Sequence, residues 1–341
     1  MIFRKKLSLI LSLIMFVFCA AYLKPIENPS EDLKVAKVLS VLGEEIKTPV
    51  PNTKSYEISA EKGEAIIRDG ITTKPGGGET KKQSKHFVCT SCHNLEKEDP
   101  DLSSIDPQAR LEYTSSNGLP FLQGTTLYGA VNRESYYNDD YYKKYGDLVL
   151  PARNDIREAI QLCAVECAQG RELKDWELES VLAYLWTIDL KLSDLDLTQD
   201  DLDMIYSAID GNEDGEAAAK LIKSKYSHTS PATFGTAHDS MIKKGEHTGD
   251  PENGKLIYDN SCLFCHQDRK YSFFHLDDSR VTFKHLSKKA NGYGRHSLYQ
   301  VTRYGVYSRS GKRSYMPQYP IEKMSEQQLA DLRAYIDQQA E

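Results

Sequence analysis

Apolar positions recur at helical spacing in several separate stretches of the chain. Ala60, Ala65, Ile66 and Ile67 run up to Gly70 and predict a helix beginning near Ile58. Arg157 to Ala168 reads as a second helix, with Gly170 as its stop. From Trp176 onward, Leu178, Val181, Leu182, Leu185, Trp186 and Ile188 form a strong amphipathic stripe. A short helix is expected over Asn253 to Tyr258, and a final one from Glu326 to about Gln338, with Leu329, Leu332, Tyr335 and Ile336 on one face. Residues 100–152 are rich in Tyr, Asn, Gly and Asp without clear period and read as loops with short helices. Residues 24–56 carry Pro25, Pro29, Pro49 and Pro51, which suggests a spacer or extended arm. Residues 193–245 turn acidic and then Lys-, Ser- and Thr-rich, as a linker with two short helices would. The order helix, loop, closing helix occurs twice, an internal repeat on the scale of a domain. The expectation is a mainly α protein whose two domains, 57–192 and 246–341, are joined by the long linker 193–245. A length of 341 residues agrees with two domains.

The N-terminus has the layout of a targeting segment. Arg4, Lys5 and Lys6 precede an uncharged, mostly apolar run from Leu7 to Leu23. Three fates are open for residues 1–23: a signal cleaved near Ala20 and Ala21, a retained membrane anchor, or lipidation at Cys19. Each would put the remaining chain outside the cytoplasm, in the periplasm or its equivalent, with the membrane touched only through that segment if it stays. The net charge of −7 gives no footprint for nucleic acid and favours partners with basic patches. Asp210, Asn212, Asp214 and Gly215 look like the start of a calcium loop, but its twelfth position is Leu221, so a solvated turn is the better reading.

Cysteine usage changes the picture most. Of seven cysteines, four fall in two CxxCH motifs, Cys89/Cys92/His93 and Cys262/Cys265/His266. In an exported chain this spacing carries covalent haem. Two thiols add across the vinyl groups and the following imidazole takes the iron. A redox dithiol has no need of the His, and a shared zinc site would require the two motifs to meet in space. The expected cofactors are two covalently attached haem c groups, each in a cytochrome c-like domain.

The halves differ in what is available as a sixth iron ligand. In the second half Met316, followed by Pro317, lies just before the closing helix, with His296 and Met324 as alternatives. The first half has no Met and no further His between His93 and the end of the Trp176 helix. Cys163 and Cys167 stand there instead, four positions apart and on one helix face. A disulfide between them on a regular helix would have poor geometry, so Cys163 is the preferred ligand, with Cys167, a Lys or an open iron as the other choices. The cluster Tyr136, Tyr137, Tyr141, Tyr142 and Tyr145 suggests rings packed half-buried against something large and apolar.

Roughly residues 55–341 resemble the di-haem thiosulfate dehydrogenases. The likeness runs through Ile67-Arg68-Asp69-Gly70, Val88-Cys89-Thr90-Ser91-Cys92-His93, Leu127-Tyr128-Gly129, Arg157 before Cys163, and the spacing of Cys163, Cys167 and Gly170. In the second half it is more generic, through Cys262, Cys265, His266 and Met316. The resemblance implies Cys163 as sixth ligand and reactive sulfur, and thiosulfate or tetrathionate as substrate. Cys167 departs from it, since the family usually has Ser there, and the tyrosine run has no counterpart. Arg133, Arg153 and Arg157 are the candidate cations for such anions. The first reading is therefore an electron-transfer cytochrome exchanging electrons with other periplasmic carriers or a terminal oxidase. The second is a thiosulfate dehydrogenase or tetrathionate reductase type of enzyme. A third, weaker reading is a haem-based sensing module.

Overall fold

The computed structural model describes residues 32–55, 57–212, 214–237, 239–240, 245–290, 296–306 and 316–341. The segment 1–23, with Cys19, lies outside them. Among the described residues the protein is helical and contains no strand, only isolated bridges such as Lys34–Lys191 and Val306–Met316. The helices that carry the argument are α1 (Val35–Val41), α2 (Ala60–Asp69), α3 (Pro107–Ser116), α4 (Ile156–Leu162), α5 (Asp175–Leu185), α6 (Gln199–Ile209), α7 (Gly215–Ser224), α8 (Pro251–Ile257), α9 (Arg280–Ala290) and α10 (Glu326–Ala340).

Local signals set most boundaries. Ser59 accepts a hydrogen bond from the Lys62 amide to start α2, and Gly70 ends it in the left-handed region at φ 72°. Asp250 caps α8, with Pro251 in its first turn, and Ser325 with Gln328 forms a capping box on α10. Asp214 caps α7 through the amides of Glu216 and Ala217, so this carboxylate belongs to a helix start.

The same crossing is built twice. Helix α2 packs on α5, and α8 packs on α10. Each contact has a glycine at its centre. A Cβ on Gly63 would overlap the Ser180 carbonyl, and one on Gly254 would overlap the Asp331 carbonyl. Only glycine lets the backbones approach this closely. The first crossing sits in a core of Ile66, Ile67, Val181, Leu182 and Leu185. The second sits in a core of Ile257, Tyr258, Leu329, Leu332 and Ile336, which also takes in Leu111 and Phe121 from the first half.

Two segments differ from the sequence expectation. The arm is not extended throughout, because Val35, Val38 and Leu39 of α1 are buried against Ile205, Ala218, Ala219 and Ile222 of α6 and α7. The segment read as a linker does hold its two helices, and together with α1 they bury a third apolar cluster. After α4, the chain does not continue as a regular helix. Cys163–Cys167 forms a π-helical turn closed by the Ala168 amide on the Cys163 carbonyl at 2.8 Å. The left-handed residue beyond it is Gln169, φ 52°, rather than Gly170.

Candidate functional site

The first CxxCH is a 3₁₀ turn, Cys89–Ser91. The amides of Cys92 and His93 both reach the Cys89 carbonyl at 3.1 Å, and Ser91 Oγ accepts the Val88 amide at 3.0 Å. His93 Nδ1 lies 2.6 Å from the Thr125 carbonyl. A carbonyl can only accept, so the proton sits on Nδ1 and the lone pair of Nε2 is left free for a metal. Burial holds His93 below the usual imidazole range, which keeps it neutral. Gly124 makes this contact possible. A Cβ there would stand 2.6 Å from both the Cys92 carbonyl oxygen and the imidazole.

The second motif repeats the device on a different scaffold. Tyr258–Cys262 is a π-helical turn leading into Leu263–His266. The amides of Tyr271 and Ser272 close on the Cys265 carbonyl at 3.1 and 3.2 Å. His266 Nδ1 lies 2.6 Å from the Phe274 carbonyl, so its Nε2 is free as well. Burial again pushes the imidazole down. All four motif cysteines are free thiols.

The first motif opens into a cavity with ≈ 1520 Å³ of unfilled space, part of it open to solvent. Its apolar walls come from residues such as Ile66, Phe87, Leu127, Ile156 and Val181, and its chemistry comes from Cys89, Cys92, His93, Cys163 and Cys167. Two thiols, an imidazole with a free Nε2 and an apolar space many times the ~30 Å³ of a water suit a covalently held macrocycle. The cavity brings Cys163 and Cys167 together with the motif, as the spacing suggested. Cys163 faces Cys167 as a hydrogen-bond donor to its sulfur. Cys163 is raised by its bond to Cys167 and by burial. Cys167 is lowered by its bond to Cys163, and, against burial, by Lys144 and the hydroxyls of Tyr145 and Tyr137.

The tyrosine run lines the same cavity. Tyr137 and Tyr141 meet edge-on at 4.8 Å, Tyr141 stacks on Tyr145 at 6.5 Å, and Tyr141 meets Phe234 at 4.9 Å. Tyr142 turns outward. Lys144, which sequence reasoning passed over, lies over the rings of Tyr145 and Phe234 and touches Gln318. Of the three arginines proposed to meet anions, only Arg133 lines the cavity. Arg153 pairs with Asp139, and Arg157 is held by both oxygens of Glu179, so neither charge is spare.

Met316 is half-buried, its carbonyl accepting the Val306 amide at 3.1 Å, and Pro317, Gln318 and Pro320 after it reach the first cavity. Met324 is 1% exposed within the second apolar core, and His296 is exposed.

The motifs are also tied to each other. Tyr319 places its hydroxyl 3.2 Å from the Phe121 carbonyl and 2.5 Å from Ser261 Oγ. The Phe121 amide donates to the Asn260 carbonyl at 2.9 Å. Beneath them lies a buried ion cluster that the sequence did not signal. Glu98, 0% exposed, accepts from Lys323 Nζ at 2.9 Å, and from Arg110 Nη2, Asn94 Nδ2 and the Thr126 amide, each at 3.1 Å. Burial alone would raise this carboxyl, but Arg110 and Lys323 outweigh it and hold it well below the carboxylate range.

The cytochrome c family model matches residues 251–340. This segment is a cytochrome c domain. It spans α8, the second CxxCH, Met316 and α10, and a domain of this kind carries covalently bound haem c and serves haem-based electron transfer. No curated protein and no solved structure matches the chain.

Proposed function

We propose that the chain is an exported di-haem c-type cytochrome in which the cytochrome c domain passes electrons to and from a second haem held by Cys89, Cys92 and His93. The observation that carries this reading is the shared histidine device. Both motif imidazoles donate Nδ1–H to a main-chain carbonyl at 2.6 Å and leave Nε2 free. When bound, haem supplies the reversible one-electron iron couple. The chain's residues do the rest. The cysteine pairs would hold the macrocycles, His93 and His266 would offer their free Nε2 to the iron, and Cys163 and Met316 would supply the remaining protein ligands. The apolar cavity excludes water, and the Ser261–Tyr319–Phe121 contact holds the two motifs within reach of each other. With the Cys163 sulfur at the first iron and the Met316 thioether at the second, the first site would favour the ferric and the second the ferrous state, and the two would be poised apart. The protein works outside the cytoplasm with other electron carriers or a terminal oxidase.

The test is the ferric EPR spectrum beside that of Cys163→Ala. A low-spin thiolate-type signal lost in the variant is expected. Identical spectra would take Cys163 off the iron.

A second reading, an oxidoreductase of the thiosulfate dehydrogenase type, is favoured by Lys144 and Arg133, which place cations in the cavity that holds Cys163 and Cys167. It requires thiosulfate oxidation or tetrathionate reduction that disappears in Cys163→Ala. Two reducible haems without turnover would leave the carrier reading alone.

A further inference from the structure

The chain as a whole is acidic, yet the surface beside the second motif is not. From Lys270 to Lys289 it carries five Lys or Arg against two Asp. Helix α9 turns Phe283 and Ala290 into the core. Its other side presents Val281, Lys284, His285 and Lys288 to solvent, at a spacing that forms one stripe. Val281 is 78% exposed, and Phe273 and Phe274 on the preceding loop are 72% and 50% exposed. Asp277 is occupied with the start of α9, accepting the Ser279 amide at 3.0 Å and its hydroxyl at 2.6 Å. Lys284, Lys288 and Lys289 are all exposed. This face adjoins the metal ligand directly. The Phe274 carbonyl is the acceptor for His266, its ring stands edge-on to that imidazole at 5.9 Å, and it lies 6.2 Å from the ring of His285.

We propose that the Phe273–Phe274 loop and the outer stripe of α9 form the surface where a redox protein with an acidic face docks to exchange electrons with the cytochrome c domain. Exposed apolar side chains rimmed by charge have the anatomy of a transient interface. Net charge alone points to a basic partner. The partner, however, meets the local field, because salt screens charges beyond about 10 Å at 0.1 M. Lys284 and Lys288 therefore govern the encounter, and Phe274 gives the short route to His266. The inference rests on haem attachment at Cys262 and Cys265.

The experiment uses the full haem-loaded protein in stopped-flow electron transfer with two probes, an acidic plastocyanin-type copper protein and a basic mitochondrial-type cytochrome c. Wild type is compared with Lys284→Glu/Lys288→Glu and with Val281→Ser at 100 mM salt, where screening leaves only the local field, and at 500 mM. The double reversal should slow the reaction with the acidic probe about tenfold at the lower salt, speed that with the basic probe, and lose both effects at the higher salt, with the haem spectrum unchanged. Val281→Ser should slow the acidic reaction at both salts. An unchanged rate with the acidic probe, or wild type reacting faster with the basic one, overturns the proposal. Absence of haem from the Cys262–Cys265 peptide would overturn the haem reading and the docking surface together.

Discussion

Glu98→Ala is the most informative single change outside the haem ligands. It removes the carboxylate that is hydrogen-bonded to both Lys323, on the segment leading to α10, and Arg110 of α3, whose side chains are 10% and 1% exposed. Both cations would then lose the carboxylate they are bonded to, leaving Asp99 as the neighbouring acid. Breaking a buried ion pair in this way costs about 3–5 kcal/mol. The Thr126 amide and Asn94 Nδ2 also lose their acceptor. At ~2.1 cal/mol/K per residue, 341 residues unfold with an entropy of about 0.7 kcal/mol/K, so ~4 kcal/mol lowers the melting temperature by about 6 °C. The assay is thermal unfolding followed separately by far-UV circular dichroism and by Soret absorbance. Both should fall together, because Thr125, the acceptor of His93, neighbours the freed Thr126 amide. Glu98→Ala/Lys323→Met should recover part of the loss, since one stranded charge goes with it. A melting temperature within about 1 °C of wild type would refute the reasoning.

Other outcomes follow from the same geometry. Glu98 has a folded pKa below its ordinary 4.5. The stability it contributes is fully present above about pH 4.5 and is lost as pH falls toward the folded value, so Glu98→Gln should show a shallower acid limb in urea midpoints measured between pH 6 and 3. Gly124→Val should push the His93 ring off the Thr125 carbonyl, lowering haem content or shifting the Soret band of the first site, while the spectrum of the second site stays as in wild type. Gly254→Leu should separate α8 from α10 and cost about 3 kcal/mol or more by overpacking, read as a lowered denaturant midpoint. Cys167→Ser should leave the low-spin signal of a Cys163 ligand in place but alter its g-values, because the sulfur hydrogen-bonded to Cys163 is replaced.

Much of the helical frame could be read directly from the chain, because apolar spacing and helix caps are local signals. The two CxxCH motifs, the helices before them and the closing helices α5 and α10 all follow from local sequence pattern and lie as expected. Cys163 and Cys167 share a cavity with the first motif, but the turn that presents them is π-helical. That removes the premise of a regular helix on which a disulfide was set aside. Of the candidate arginines Arg133 does line the cavity, but two fall elsewhere, because charge says nothing of partners. Arg153 and Arg157 are consumed by Asp139 and Glu179, while Lys144 holds the cavity rim beside Tyr145. Glu98 gave no signal at all, since its partner Lys323 comes from a distant part of the chain and Arg110 from the next helix, beyond an intervening loop. The segment around α6 and α7 looked like a linker because its apolar residues are too few for a core alone. They suffice once α1 is added.

The central claim is best tested by counting haems on the denatured protein, where only covalent attachment survives. Pyridine haemochrome absorbance against protein concentration, with masses of the tryptic peptides containing Cys89/Cys92 and Cys262/Cys265, should give two haems per chain and one on each peptide. A single haem, confined to the Cys262/Cys265 peptide, would contradict the account and leave the first cavity without its proposed cofactor.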